Sequence, residues 1–142
     1  MGQSYHALWV HFIWGTKYRQ PLILPEWKFK LYDQFRNISN DKGYYLDYIN
    51  GVEDHVHLLM GLKSTHTVAT MAKDLKGISQ TWVRINDLSH EYFQWQDGYA
   101  AISVSPKQVP SVRRYIKNQE QHHKKNTFEE EWNEFKKHAV IV

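Results

Sequence analysis

The stretch DHVHLLM, residues 54–60, sets two histidines either side of one valine inside an apolar run. On a β-strand, residues i and i+2 point to the same face, with Cβ atoms roughly 6–7 Å apart. His55 and His57 then present two imidazoles side by side, which is metal-ligand spacing. The plainer reading is a pair of buried histidines, each ring nitrogen satisfied by a backbone or carboxylate partner. A nucleotide-hydrolase motif of alternating histidines would need a third histidine where the chain has Leu59. A zinc protease would need histidines at i and i+4 on a helix with a glutamate between them, and no such stretch exists.

A complementary pair lies in YIKNQ, residues 115–119. Tyr115 and Gln119 are four apart and share one face of a predicted helix. Val112, Ile116 and His123 flank that face, while Arg114, Lys117 and Lys124 fall to one side. A purely structural helix would centre apolar groups on its buried stripe; this one centres a phenol and an amide. Tyrosine can act as a nucleophile, and glutamine supplies a neutral oxygen ligand. Two imidazoles and one amide oxygen would hold a divalent cation with positions open for phosphate oxygens. For Tyr115 taken alone, an amphipathic ring at a helix surface is the plainer reading.

These residues need a scaffold, and 142 residues suffice for one domain with a proper core, spanning 1–142. Hydrophobic content of 42% and charged content of 23% are those of an ordinary globular protein. The absence of cysteine excludes disulfides and thiolate metal sites, and a reducing, cytoplasmic setting is the simplest expectation. The opening residues lack a signal-peptide pattern, and no apolar run approaches the roughly 20 residues of a membrane span. A net charge of +3 permits a polyanionic partner without requiring one. Six Trp, nine Tyr and six Phe beside Lys and Arg would suit unstacked nucleic-acid bases.

Residues 5–14 read as a central strand, β-branched and aromatic on both faces. A helix from Pro25 to about Asp41 follows, with Trp27, Leu31, Phe35 and Ile38 at helical spacing and Gly43 as its stop. Residues 44–50 and 54–62 read as two strands, with a hairpin turn expected around Asn50-Gly51. A long helix opens at Thr65 or Thr67, with Val68, Met71, Leu75, Ile78, Trp82 and Ile85 as its apolar stripe. Residues 98–105 give a fourth strand. The order β-α-β-β-α-β predicts an α+β fold of ferredoxin-like type, an antiparallel sheet with two helices on one face. After a loop from Pro106 to Pro110, a third helix is expected over about Ser111–Lys125. A short last helix begins at Thr127, capped with Glu130, and buries Phe128, Trp132 and Phe135. The apolar tail AVIV is expected to dock.

Taken together, the His-hydrophobic-His strand and the later Tyr-x-x-x-Gln helix resemble the single-tyrosine HUH transposases, the TnpA type of small bacterial insertion sequences. The resemblance extends to relatives associated with repetitive extragenic palindromes. It covers nearly the whole chain: VHFIWGTKYRQPLI is similar to the family's opening strand and loop, DHVHLLM to its metal strand, and LKGISQTW to its second helix. WQDGYAAISVS resembles its last strand and VRRYIKNQEQHH its catalytic helix. One departure is Gln80, where a second small residue is more usual after Ser79.

The resemblance implies cleavage and rejoining of single-stranded DNA without hydrolysis. Tyr115 is the implied nucleophile, giving a 5′-phosphotyrosine link and a free 3′-OH. His55, His57 and Gln119 are the implied ligands of a divalent metal, Mg²⁺ or Mn²⁺, and no organic cofactor is implied. Glu53, Asp54 and His123 are candidate helpers, for each of which a structural or solvated role is the plainer reading. Expected DNA contacts are Lys17, Tyr18 and Arg19 in the first loop, Lys73 and Lys76 on the second helix, and Arg113, Arg114 and Lys117. The family implies recognition of a DNA hairpin and a homodimer whose tyrosine helix docks on the partner's histidines, with the Pro106–Pro110 loop as hinge. Two other classes stand beside it. One is a catalytically inactive or domesticated single-stranded nucleic-acid-binding module on the same fold, which the intact His55, His57, Tyr115 and Gln119 set disfavours. The other is a plasmid or phage nickase, which the small size disfavours.

Overall fold

Residues 2–140 are described by the structure, a computed structural model. Strand β1, Leu8–Gly15, is fully buried from His11 onward, as a central strand covered on both faces must be. Its Val10, Phe12 and Trp14 join one hydrophobic core, whereas Trp9 packs against a second. Helix α1 (Lys28–Lys42) leads into β2 (Tyr45–Val52), β3 (His55–Leu62), helix α2 (Val68–Ile85) and β4 (Ala100–Val104). The strands form an antiparallel sheet in the order β2-β3-β1-β4. This is the mixed helix-sheet arrangement that the β-α-β-β-α-β pattern predicts.

Helices α1 and α2 share a face of the sheet. Leu31, Phe35, Met71 and Leu75 pack there with Phe12, Trp14, Val56, Leu58 and Met60, all buried. Helix α1 stops where Gly43 turns left-handed at φ 75°, its N–H bonding back to Ser39 and Asn40. Helix α2 opens at Thr67, whose hydroxyl accepts from the Thr70 N–H at 3.2 Å. Its expected apolar stripe is only half buried. Met71, Ala72, Leu75, Ser79 and Val83 face inward, while Ile85 is 77% exposed and Ile78 lies at the surface. The 3-4-3-4-3 spacing is a seven-residue repeat, and on a straight helix such a stripe drifts by ~20° per heptad. Over α2 the drift carries Ile78 and Ile85 off the core, and Ser79 and Val83 take their places. Ser79 Oγ accepts the Trp95 indole N–H at 3.0 Å, and the neighbouring Gln80 accepts the Trp95 backbone N–H at 2.8 Å.

The β2–β3 turn is Glu53-Asp54, not Asn50-Gly51. Asn50 pairs with His57 and Gly51 with Val56, inside the strands. The turn chemistry of Asn-Gly is put to other uses. At Gly51 the strands lie so close that a Cβ would strike the His55 carbonyl. The real turn is held from outside, its two carbonyls accepting from the Thr16 and Ile23 N–H groups at 2.9 and 3.0 Å.

The other face of the sheet is covered by the segment that follows β4. Helix α3 (Val109–Lys117), helix α4 (Gln119–Lys125) and helix α5 (Phe128–Lys136) replace the two helices expected there. The long third helix breaks at Asn118 (φ −96°, ψ 23°). The stretch before it is a single tight turn, Pro106–Gln108, and Pro110 sits inside the first turn of α3, where a missing N–H is harmless. Val109 and Ile116 of α3 pack with Leu59 and Val104 in the second core. The Thr127–Glu130 capping box of α5 is present, Phe128 is buried, and Trp132 and Phe135 are half-buried. In the tail, Val140 is 86% exposed, and Ile141 and Val142 lie outside the described residues. Among the described residues, no helix is long and apolar enough to cross a membrane.

Candidate active site

Because β3 alternates, Val56, Leu58 and Met60 enter the main core and His55, His57 and Leu59 face α3 to α5. Both histidines are buried. The Nδ1 of His55 lies 2.7 Å from Asp54 Oδ1, and an ionised carboxylate can only accept, so this Nδ1 donates. The Nδ1 of His57 lies 2.8 Å from Nε2 of His11, on the adjacent strand β1. In the tautomer with His57 donating to His11, both β3 rings are oriented through Nδ1 and turn an Nε2 toward the same space. Metal-ligating histidines are typically held this way, the far nitrogen oriented by a second group.

Tyr115 and Gln119 do arrive at these rings, although the helix between them breaks. Gln119 is buried, with Oε1 3.4 Å from His55 Nε2 and its amide donating to the Tyr115 carbonyl at 3.3 Å. The Tyr115 ring centroid is 5.9 Å from that of His57 and 6.2 Å from that of His11. Two contacts from β2 fix α3. The Asn50 amide donates to the Ile116 and Lys117 carbonyls at 3.0 and 3.1 Å, satisfying the helix end where it breaks. Asp47 is the extra residue at a register shift in β2, and both its oxygens accept from Arg113 at 2.9 Å. Tyr115 thus sits beside the histidines of its own chain, whereas the family resemblance implies docking on a partner's.

A side chain from outside this expected set completes the cluster. Glu131 of α5 places Oε2 3.4 Å from His55 Nε2 and Oε1 3.4 Å from His57 Nε2, and it accepts a hydrogen bond from the Tyr115 hydroxyl. The contact with His57 is not a hydrogen bond, so that fully buried Nε2 is left without a partner. Among the described residues, His55, His57 and Glu131 are one of two groups of three side chains whose ligand atoms lie close enough to share a cation; Asp54, His55 and His123 are the other. Helix α5 is seated by Phe128, which stacks on His55 with centroids 4.4 Å apart. Its ring occupies the space that a Cβ on Gly15 would need. Of the expected helpers, Asp54 hydrogen-bonds a candidate ligand, whereas His123 lies beside His55 and is bonded to Glu53 at 2.9 Å.

The electrostatics follow from this packing. Burial and the neighbouring His57 push His11 down to about 3, so it is a neutral ring able to accept from His57. Burial depresses His55, but the Asp54 and Glu131 carboxylates outweigh it and hold the ring at about 9. His57 is lowered, chiefly by burial. Burial pushes Glu131 up, yet the nearby His55 and His57 rings and the Tyr115 hydroxyl outweigh it and keep it ionised, below the usual carboxylate range. Tyr115 is raised above its ordinary value by burial and by the negative charge of Glu131.

The expected DNA contacts separate into three groups. Lys17, Tyr18 and Arg19 form a tight turn after β1, with Tyr18 83% exposed and the Arg19 guanidinium 5.8 Å from the Phe128 ring. Arg114 and Lys117 are exposed on α3, near the site. Lys73 is exposed on α2, across the sheet. Two of the set are already engaged. Lys76 donates to the Gln96 and Gly98 carbonyls at 2.8 and 2.6 Å, tying down the loop before β4, and Arg113 is paired with Asp47.

Helices α1 and α2 thus back one face of a four-stranded antiparallel sheet, and a histidine-tyrosine cluster lies between the other face and α3 to α5. Residues 4–119 match the family described as transposase, IS200-like, and the chain belongs to that family. It is 28% identical over 124 residues to the ISDra2 transposase TnpA of Deinococcus radiodurans, covering 83% of this chain and 89% of that one. A crystal structure from Deinococcus radiodurans R1, described as a transposase candidate, superposes with a TM-score of 0.65 at 29% identity, over 84% of this chain and 96% of the other. A REP-associated tyrosine transposase bound to a REP hairpin shares the fold, with a TM-score of 0.61 at 12% identity over 83% and 72% of the two chains.

Proposed function

We propose that this transposase cleaves and rejoins single-stranded DNA through a 5′-phosphotyrosine link at Tyr115, with His55, His57 and Gln119 holding Mg²⁺ or Mn²⁺. The observation that carries the proposal is the convergence of Tyr115 and Gln119, from consecutive helices, on two imidazoles of one strand. The Asp54 and His11 partners on the Nδ1 atoms suit ligands better than idle core histidines, and a buried Nε2 without a hydrogen-bond partner suits a cation. Bound there, the cation would polarise the scissile phosphate and offset the charge developing on it.

The Tyr115 oxygen attacks phosphorus, the P–O3′ bond breaks, and the released 3′ oxygen takes up a proton. The phosphotyrosine bond conserves the energy of the phosphodiester, so a later 3′-OH can displace the tyrosine and seal a new junction. An ordinary tyrosine with a pKa near ~10 is about 0.1% ionised at pH 7. Tyr115 is raised further, and Glu131 is its hydrogen-bond acceptor. Lys17, Tyr18, Arg19, Arg114 and Lys117 remain as contacts for a DNA strand. A hairpin ligand is favoured by the fold shared with the REP-associated transposase, whose structure holds one. A homodimer, a cytoplasmic location and a single domain over 1–142 belong to the same proposal and rest on the family resemblance and the composition.

Tyr115→Phe tests the proposal because it removes one hydroxyl and little else. The variant should fold and bind DNA while forming no covalent adduct with labelled single-stranded DNA taken from the gene's own flanks. A persistent adduct on a denaturing gel would place the nucleophile elsewhere.

A further inference from the structure

We infer that Glu131 is a fourth protein ligand of the cation, delivered by α5, so that seating of this helix and metal occupancy are one event. The inference rests on the reading of His55, His57 and Gln119 as a metal site and adds to it a residue beyond the family match, which ends at 119. Three observations carry it.

The first is geometry. The two carboxylate oxygens stand 3.4 Å from the two Nε2 atoms, one each. Neighbouring ligands on an octahedral ion with bonds of about 2.1 Å are ~3 Å apart, so small closure around an ion suffices. The second is the fully buried His57 Nε2, which faces this carboxylate and has no hydrogen-bond partner. A cation between them would engage both.

The third is the cost of the arrangement. Glu129 and Glu130 are exposed, but the side chain of Glu131 is 12% exposed, held in by Phe128 against His55 and by Phe135 against His11. Burying a carboxylate is unfavourable unless opposite charge meets it. Deprotonated to bind a dication, the two imidazoles offer it no charge, nor does the amide, and one carboxylate supplies it. Because the Tyr115 hydroxyl donates to this same carboxylate, the nucleophile would then hydrogen-bond directly to a metal ligand.

Titration calorimetry with Mn²⁺ on the DNA-free, full-length protein tests this. Glu131→Gln keeps shape and removes charge, and it should weaken Mn²⁺ binding at least about tenfold, the lower end for losing even an outer-shell partner. Glu131→Asp should retain more affinity than Glu131→Gln, and Glu130→Gln should match the parent. Hydrogen exchange across residues 128–136 should slow on adding Mn²⁺ to the parent and stay unchanged in Glu131→Gln. His57→Ala separates the two levels of the argument. If it abolishes binding while Glu131→Gln binds as the parent does, Glu131 is no ligand and the metal site stands. If His57→Ala also binds normally, the metal site itself is wrong and this inference falls with it.

Discussion

His11 shows how a single side chain decides what its neighbour can do. It sits on β1, buried, neutral, with Nε2 2.8 Å from Nδ1 of His57. With His11 accepting there, His57 takes the tautomer whose Nε2 carries a lone pair that a cation could use. Replacing His11 with phenylalanine keeps the volume and removes the acceptor. His11→Phe should therefore lower Mn²⁺ affinity about 10- to 100-fold, as loss of an outer-shell partner does, while the protein still folds. Calorimetry read beside a thermal melt checks this, and unchanged affinity would reduce His11 to core packing. The sequence showed the i, i+2 pair His55 and His57 because strand periodicity is local. His11 is 46 residues from His57, and only the β1–β3 register brings them together. Glu131 did carry a faint signal, as the single carboxylate on the Phe128, Trp132 and Phe135 face of α5. That signal is overwhelmed by the two exposed glutamates before it.

At the level of elements, α3 is placed by β2. Asn50 lies opposite His57 in the sheet and caps the last carbonyls of α3, so one residue ties the tyrosine helix to the histidine strand. Asn50→Ala should cost about 0.5–1.5 kcal/mol, the ordinary net worth of a hydrogen bond, because the freed carbonyls are only partly buried. It should also slow adduct formation more than it weakens DNA binding, since the ring of Tyr115 loses its fixed approach. Adduct kinetics beside binding isotherms would show it, and equal losses in both would mean a general loosening. The order and type of the six core elements were legible because period 2 and period 3.6 differ sharply. The errors arose where tertiary contacts override a local rule. Asn50-Gly51 has strong turn chemistry, yet the sheet needs the Asn50 amide facing α3 and Gly51 beside the His55 carbonyl. The break at Asn118 was invisible because the stop is made by Asn50, a residue 66 positions away from Ile116.

For the whole molecule, the question is whether one chain holds a complete site. Helix α3 is fastened to its own sheet three times: by Asn50 at its end, by the Arg113–Asp47 fork, and by Ile116 and Val109 buried against Leu59 and Val104. Moving Tyr115 to a partner would release all three, and the single turn at Pro106–Gln108 gives little slack for it. A homodimer of this protein should thus carry two sites, each with Tyr115, His55 and His57 from one chain. Mixing His57→Ala with Tyr115→Phe subunits tests this. With each chain's site its own, every site in the mixture carries one lesion, and cleavage should stay absent even where subunit exchange is proven by two different tags. A tyrosine helix exchanged between chains would instead give each heterodimer one site with both histidines and the tyrosine intact. Random exchange would make heterodimers about half of all dimers, so cleavage would return to roughly a quarter of the parental level, counting two sites per dimer. Recovered cleavage at that level would overturn the own-chain arrangement and leave the chemistry at Tyr115 in place.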